Sequence, residues 1–285
     1  MRWEKSRRSE NVEDRRRMTA GKGIAGIGGG GIVVLLLLGW VLQGDPLSLL
    51  NLAGGSAVTT GTAVEQSAIP ENDTVADFVS AILGETEDVW TGLFAKSGTT
   101  YRKPKLVLFS GSTQSACGYA QSATGPFYCP GDERVYLDMS FFDELSSRFG
   151  ASGDFAQAYV IAHEIGHHVQ HLLGITDQVH GLHQKVSKEE YNRLSVKLEL
   201  QADFLAGVWA HHAEKSKQIL EAGDVEEALN AASSIGDDRI QKQTQGYVVP
   251  DAFTHGTSEQ RVRWFRKGLQ TGDPDQGNTF TATSL

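Results

Sequence analysis

Two histidines and a glutamate form the clearest chemical pattern in this sequence. His163, Glu164 and His167 follow the order H-E-x-x-H within Ala158–Gly174, an apolar, proline-free stretch that Asp154 could cap and Gly174 could end. Histidines four apart in a helix lie on one face, so both can reach a single zinc ion, and Glu164 could collect a proton from its bound water. The pattern predicts a zinc site, although five residues can also match by accident in a helix with solvated histidines.

A second long helix is predicted from Glu189 to Lys215, and it carries two carboxylates four residues apart. Glu199 and Asp203 would lie one turn apart on the same face. Glu199 could then supply a third ligand while Asp203 accepts a hydrogen bond from a ligand imidazole. Their neighbours are mostly apolar, and carboxylates in such a run usually need partners. The alternative is an ordinary charged helix face.

Several stretches of the chain together resemble one family. SENVEDRRR near the start, a glycine-rich apolar segment, AHEIGHHVQ and LELQADFLAGVWA resemble the bacterial membrane-anchored neutral zinc metallopeptidases. The site is similar to that of gluzincins, in which two helix histidines, a later glutamate and one water surround zinc. The resemblance implies three zinc ligands, namely His163, His167 and Glu199. It also implies Glu164 as the general base and Asp203 as the residue that orients His163.

His255 is a further candidate, in the stretch THGTSEQRVRWFRK. It resembles a threonine-histidine turn, followed by an arginine, that other membrane-linked zinc peptidases carry after their glutamate ligand. Those proteins usually have proline where Gly256 stands here. A histidine in that place could stabilise the oxyanion of a tetrahedral intermediate, which is worth about 3 to 4 kcal/mol in comparable acyl-transfer sites. Otherwise His255 is a cap or turn residue, with Arg261 as a structural partner.

The composition allows one substantial globular domain and argues against a nucleic-acid partner. The chain has 285 residues, of which 40% are hydrophobic and 21% are charged. Residues 1–22 contain eight basic and four acidic residues, which leaves 18 basic and 31 acidic residues elsewhere, a net charge of -13. So acidic a body would repel phosphates. Residues 1–22 show no apolar periodicity and are expected to form a flexible cytoplasmic tail.

Residues 23–43 are predicted to form a transmembrane helix, because twenty of them in succession carry no charge. Lysine and arginine cluster before this stretch and Asp45 follows it. A single-pass protein of the cell membrane is therefore expected, with its carboxyl-terminal domain periplasmic or extracellular. The alternative is a cleaved signal peptide with its apolar centre at residues 32–38. Gly26 and Gly30 form a G-x-x-x-G pair that could pack two such helices into a homo-oligomer.

Cys117 and Cys129 are the two cysteines of the chain, separated by eleven residues rich in glycine, serine and proline. Export would place them in an oxidising compartment, so a disulfide is predicted, with a contribution of about 3 kcal/mol to stability. The alternatives are free thiols or a second metal site.

The zinc site is expected in a domain over residues 72–270, after a flexible linker over 44–71 and before a loose tail over 271–285. KLVLFS and RVYLD are predicted strands and most other apolar segments are predicted helices, which indicates a mainly helical α+β, zincin-like fold with a small sheet. By analogy, RVYLD could border the cleft and pair with an extended substrate; it could equally be an ordinary core strand.

The sequence as a whole predicts a membrane-anchored zinc metallopeptidase that acts on peptides or proteins. Two alternatives stay open. The same metal and base could hydrolyse an amide in cell-wall peptides, or the domain could be a non-catalytic, zinc-stabilised envelope module that binds a partner. Peptide hydrolysis is favoured because a base beside two ligands serves no structural purpose.

Overall fold

The computed structural model of this protein describes residues 1–17, 72–121 and 125–285. The predicted transmembrane helix and linker, at residues 23–43 and 44–71, lie outside the described residues. Within the described part of the chain, no helix combines the length and hydrophobicity that a bilayer crossing requires. Residues 1–15 belong to one compact unit with the chain from Ser67 onward. Of the second unit, residues 16–66, only residues 16 and 17 are among the described residues.

Helices make up most of the described fold, in agreement with the predicted α+β class. They are α1 Thr74–Lys96, α2 Ser140–Ser147, α3 Asp154–Leu172, α4 Ile175–His180, α5 Lys188–Lys217, α6 Asp224–Ser234, α7 Asp237–Gln245 and α8 Ser258–Thr271. Two short 3-10 helices lie at Pro250–Ala252 and Pro274–Gly277. The two predicted site helices correspond to α3 and α5.

The strands form a four-stranded sheet and a hairpin. They are β1 Val12–Asp14, β2 Lys105–Phe109, β3 Ser112–Ser115, β4 Gly118–Gln121, β5 Phe127–Cys129 and β6 Arg134–Asp138. The larger sheet has the order β1-β2-β6-β5, with β1 and β6 parallel to β2 and β5 antiparallel to β6. The strands β2 and β6 are apolar on both faces because the sheet packs on the main core through one face and on a smaller cluster through the other.

The two site helices approach each other closely at a glycine. A Cβ atom on Gly166 of α3 would lie 2.9 Å from the backbone oxygen of Ala202 in α5. A side chain at position 166 would therefore push the helices apart. Because glycine has no side chain, the residues on either side of Gly166 can contact the side chains of α5.

The amino-terminal segment is part of this fold, so the expected flexible tail over residues 1–22 is wrong for the residues described. β1 extends the sheet along β2. Ser9 Oγ and Asn11 Nδ2 each donate a hydrogen bond of 2.6 Å to Oε1 of Glu87, which is fully buried in α1. Polar contacts hold this segment together with the buried Val12, and such contacts leave no apolar periodicity in the sequence.

The ends of the helices follow the sequence only in part. Asp154 does not cap α3, because Gly153 is the N-cap and makes no side-chain bond. The carboxylate of Asp154 instead lies 2.8 Å from the α-ammonium of Met1. By contrast, Thr257 is the N-cap of α8 and forms a capping box with Gln260.

Residues 271–285 also pack against the domain, which corrects the expected loose tail. Thr279 Oγ1 donates to the backbone oxygen of Lys197 at 2.7 Å, and Gln201 Nε2 donates to that of Gly277 at 2.9 Å. The carboxyl-terminal segment therefore lies along α5 beside the predicted glutamate ligand. Each of these bonds joins a side chain to a backbone oxygen more than seventy residues away, so the sequence of the segment does not reveal it.

Candidate active site

Three side chains from α3 and α5 converge beside a cavity. Nε2 of His163 lies 3.2 Å from Oε2 of Glu199, and Nε2 of His167 lies 3.4 Å from Oε1 of the same carboxylate. One ligand atom from each residue lies within 4.8 Å of the other two. Two imidazole nitrogens and a carboxylate oxygen are a donor set of catalytic zinc sites, so these residues fit a zinc ion.

Asp203 orients His163 and ties it to Arg261. Oδ1 of Asp203 lies 2.8 Å from Nδ1 of His163, and Arg261 donates to the two carboxylate oxygens at 2.8 and 2.9 Å. The hydroxyl of Tyr159 donates to the same carboxylate at 2.5 Å. An ionised carboxylate can only accept hydrogen bonds, so Nδ1 of His163 is the donor and Nε2 is left for a metal. The sequence indicated Asp203 and missed Tyr159.

Gln170 is the partner of the second histidine. Its Oε1 lies 2.9 Å from Nδ1 of His167, and its amide nitrogen donates to the backbone oxygen of Leu198 at 2.7 Å. The side chain is fully buried. Sequence reasoning missed this residue, although its spacing of three from His167 places both on one helix face.

The charges around the ligands favour a bound cation. Burial opposes a charge on His163, but the charge of Asp203 and hydrogen bonds to Asp203 and Glu199 raise the pKa of His163 to about 10. Burial also opposes a charge on His167, and the charge of Glu199 raises its pKa. Burial would raise the pKa of Glu199, yet the positive charges of His167 and His255 lower it strongly. A group of residues that stabilises protons in this way suits a divalent metal.

Glu164 and His255 line the same cavity, which has a volume of about 600 Å³. Glu164 follows the candidate ligand His163 in α3 and is only 8% exposed. His255 keeps 51% of its side-chain surface exposed. The structure therefore places both predicted catalytic side chains beside the ligand set.

Asp237, at the start of α7, holds the turn that carries His255. Its Oδ2 accepts the backbone N–H groups of Thr254, His255 and Gly256 at 2.7, 2.6 and 3.0 Å, and its Oδ1 lies 3.2 Å from Nδ1 of His255. Gly256 has a φ of +90°, which explains why this turn has glycine. Burial would lower the pKa of His255, but the charge of Glu199 and the hydrogen bond to Asp237 raise it. Sequence reasoning missed Asp237, which is eighteen residues away from His255.

The strand beside the cavity is β5, which contributes Phe127 and Tyr128 to it and is a terminal strand of the sheet that the described residues form. RVYLD, now β6, is paired on both sides, with β2 and β5, and is therefore the ordinary core strand that the sequence left open as an alternative. The Tyr128 hydroxyl lies 2.9 Å from Nδ1 of His168, and Nε2 of His168 lies 2.6 Å from the backbone oxygen of Arg102. The cavity strand is thus hydrogen-bonded directly to the helix that carries the two histidines.

The predicted disulfide between Cys117 and Cys129 is present, with a Cα–Cα distance of 5.8 Å. Cys117 lies in the turn between β3 and β4, and Cys129 is the last residue of β5. The bond therefore restrains one end of the strand that borders the cavity.

A helix that carries H-E-x-x-H, a glutamate from a later helix and an adjacent cavity define a zinc-peptidase class of site. Residues 1–280 match the family described as "Putative neutral zinc metallopeptidase", and the chain belongs to this family. It is 51% identical over 285 residues to "Uncharacterized protein YpfJ" of Escherichia coli (strain K12), covering 98% of this chain and 99% of that protein. It is 46% identical over 195 residues to "Uncharacterized protein Rv2575" of Mycobacterium tuberculosis, covering 65% of each. No solved structure matches the chain.

Proposed function

We propose that this protein is a zinc-dependent peptidase that hydrolyses peptide bonds in the cavity beside α3. The main support is the convergence of both histidine Nε2 atoms on the two oxygens of Glu199, with Glu164 beside them. A structural zinc site usually closes with four protein ligands. Among the described residues three potential ligands converge here, and they border a cavity that a substrate could enter.

A zinc ion held by the three ligands would polarise the scissile carbonyl and lower the pKa of the attacking water. Glu164 would take the proton from that water and deliver it to the leaving amine. His255, held at Nδ1 by Asp237, would offer its other ring nitrogen to the carbonyl oxygen as negative charge develops. Asp203 would keep His163 oriented throughout.

We propose an extended peptide as the substrate form. β5 is a terminal strand, and a peptide that lay alongside it could form backbone hydrogen bonds as an added strand. Phe127 and Tyr128 of β5, together with Phe141 and Phe149, give the cavity an aromatic wall. We therefore place the substrate backbone along β5 and expect apolar side chains beside the scissile bond.

The test of this function is the Glu164→Gln variant, assayed with a library of internally quenched peptides. It should bind as much zinc as the parent but lose about 10²- to 10⁴-fold in turnover, because the base is removed and the ligands stay. His163→Ala should lose both zinc and turnover. Glu226→Gln, on the exposed side of α6, is the matched control and should retain both. Equal turnover by Glu164→Gln and the parent would show that the mechanism is wrong.

Membrane attachment through residues 23–43 is also a proposal. It is supported by the uncharged sequence of that segment, which lies outside the described residues. Deletion of the segment should release the protein from the membrane fraction of cells. If Gly26 and Gly30 pack two chains together, their replacement by leucine should reduce cross-linking of chains in membranes.

A further inference from the structure

The buried amide of Gln170 has a single hydrogen-bonding orientation. Its nitrogen lies 2.7 Å from the backbone oxygen of Leu198 and 3.1 Å from Oε1 of Gln201. A carbonyl oxygen can only accept, so the NH₂ group must face Leu198. The Gln170 oxygen therefore faces Nδ1 of His167, at 2.9 Å, and the ring must donate there.

Gln201 extends this arrangement to the carboxyl-terminal segment. Its amide nitrogen donates to the backbone oxygen of Gly277 at 2.9 Å, so its own oxygen is turned toward Gln170. The donors run in one direction, from His167 through Gln170 and Gln201 to Gly277. Two backbone carbonyls fix that direction, because a reversed amide would place its own oxygen, which can only accept, against a backbone oxygen.

We propose that Gln170 is a positioning residue that keeps Nδ1 of His167 protonated and leaves Nε2 free for zinc. Leu198 directly precedes Glu199, so the same amide also ties α3 to the part of α5 that carries the third ligand. This role rests on the proposed zinc site.

The test compares Gln170→Met with Gln201→Met in the full chain. Each variant removes one buried amide and one side-chain hydrogen bond to a backbone carbonyl, but only the first loses the contact with His167. In Gln170→Met, the Kd for zinc, measured by competition with a chelator, should rise about 10- to 100-fold. In Gln201→Met it should rise far less, while the melting temperatures of the two zinc-free variants fall by similar amounts.

Equal zinc affinities of the two variants would overturn this role for Gln170, whatever the peptidase assay shows. If the parent instead binds zinc and cleaves no peptide while Gln170→Met still loses affinity, the proposed function fails and the positioning role stands. A loss of zinc affinity in Gln170→Met alone, without an extra loss of melting temperature, supports the role.

Residues 1–15 are held in the domain by contacts that do not involve the zinc site. Val12 is 6% exposed and belongs to the main core, and β1 pairs in register with residues 106–108 of β2. Arg8 donates two hydrogen bonds of 2.6 Å to the carboxylate of Asp77 in α1. Residues 1–15 are therefore an integral part of the domain, through strand β1 and through the ion pair of Arg8 with α1.

In sequence, β1 and β2 lie on opposite sides of the apolar residues 23–43. A chain that crossed a bilayer once between them would place about 30 Å of hydrocarbon between two strands whose pairing requires about 4.8 Å. We infer that residues 1–15 and 72–285 lie on the same side of the membrane. The expected single-pass arrangement, with a cytoplasmic amino terminus and an exported domain, is incompatible with the pairing of β1 and β2 in one sheet.

Cysteine labelling in intact cells tests this topology. Lys5→Cys and Lys215→Cys, made separately, place a thiol at exposed positions in the two parts. The native cysteines are paired and should not react. With a membrane-impermeant maleimide, both variants should label before permeabilisation, or neither should. Labelling of one variant and protection of the other would overturn the inference.

Val12→Asp tests the contact itself in the purified full chain. A carboxylate at this buried position should lower the melting temperature of the domain. The exposed substitution Lys5→Asp is the control and should leave the melting temperature unchanged. If Val12→Asp melts like the parent, β1 is not part of the domain and the inference fails.

Discussion

Acidification should destabilise this fold through the buried histidine His168. The ring is fully buried, and Nε2 donates to the backbone oxygen of Arg102 while Nδ1 accepts from the Tyr128 hydroxyl. That arrangement requires a neutral ring. Burial is the main reason that the pKa of His168 falls from 6.5 to about 4, and the charges of His171 and Arg102 lower it further.

The direction of the effect follows from the two pKa values. Above pH 6.5 the ring is neutral in the folded and the unfolded chain, and protonation does not affect stability. Below pH 6.5 the His168 ring binds a proton in the unfolded chain, whereas in the folded chain it stays neutral down to about pH 4. The free energy of unfolding should therefore fall as the pH falls, by about 2 kcal/mol at pH 5 and about 3 kcal/mol in full.

The assay is urea unfolding of the zinc-free protein at pH 7 and pH 5, with His168→Gln as the control. Glutamine can accept from Tyr128 and donate to the Arg102 carbonyl, but it does not titrate. Zinc is left out because its binding adds a pH dependence of its own. The free energy of unfolding of the parent minus that of the variant should fall by about 2 kcal/mol from pH 7 to pH 5, because the other titratable groups contribute equally to both proteins. An unchanged difference would refute the reasoning about His168.

Three further outcomes are expected. Gly166→Ala should lower the free energy of unfolding by about 1 to 3 kcal/mol in urea, because its Cβ would lie 2.9 Å from a backbone oxygen of α5. Replacing Cys117 and Cys129 by serine should cost about 3 kcal/mol in the same assay, and it should raise KM for peptides more than it lowers kcat, because β5 loses a restraint. Asp237→Asn should lower kcat and leave KM nearly unchanged, because it weakens the hydrogen bonds that position His255. The loss in kcat should be smaller than the roughly 10²- to 10³-fold loss that follows removal of an oxyanion donor.

The sequence could reveal the candidate ligands because helix geometry alone relates them. His163 and His167 are four residues apart, as are Glu199 and Asp203, and that spacing places each pair on one helix face. It does not say which faces meet. The small Gly166 lies between the two histidines and allows the close approach to α5, but its meaning becomes clear only with α5 beside it.

The missed residues have partners that are distant in the chain. Asp237 contacts the turn of His255 from another helix, and Tyr128 contacts α3 from a strand of only three residues. So short a strand has no readable alternation, which is why the sequence did not indicate β5 as the strand beside the cavity. The amino-terminal residues look like a solvated charged tail because their buried partner, Glu87, is more than seventy residues away.

The partners of the two histidines differ in charge, and this difference bears on the proposed chemistry. Asp203 is negative, but Arg261 donates to both of its oxygens and offsets that charge; Gln170 is neutral. Among the described groups bonded to the two rings, Glu199 therefore brings the main uncompensated negative charge. A divalent ion bound here would keep a net positive charge, which polarisation of a carbonyl requires. A second unpaired carboxylate at position 170 would orient His167 equally well but would weaken that field, so an amide suits this position better.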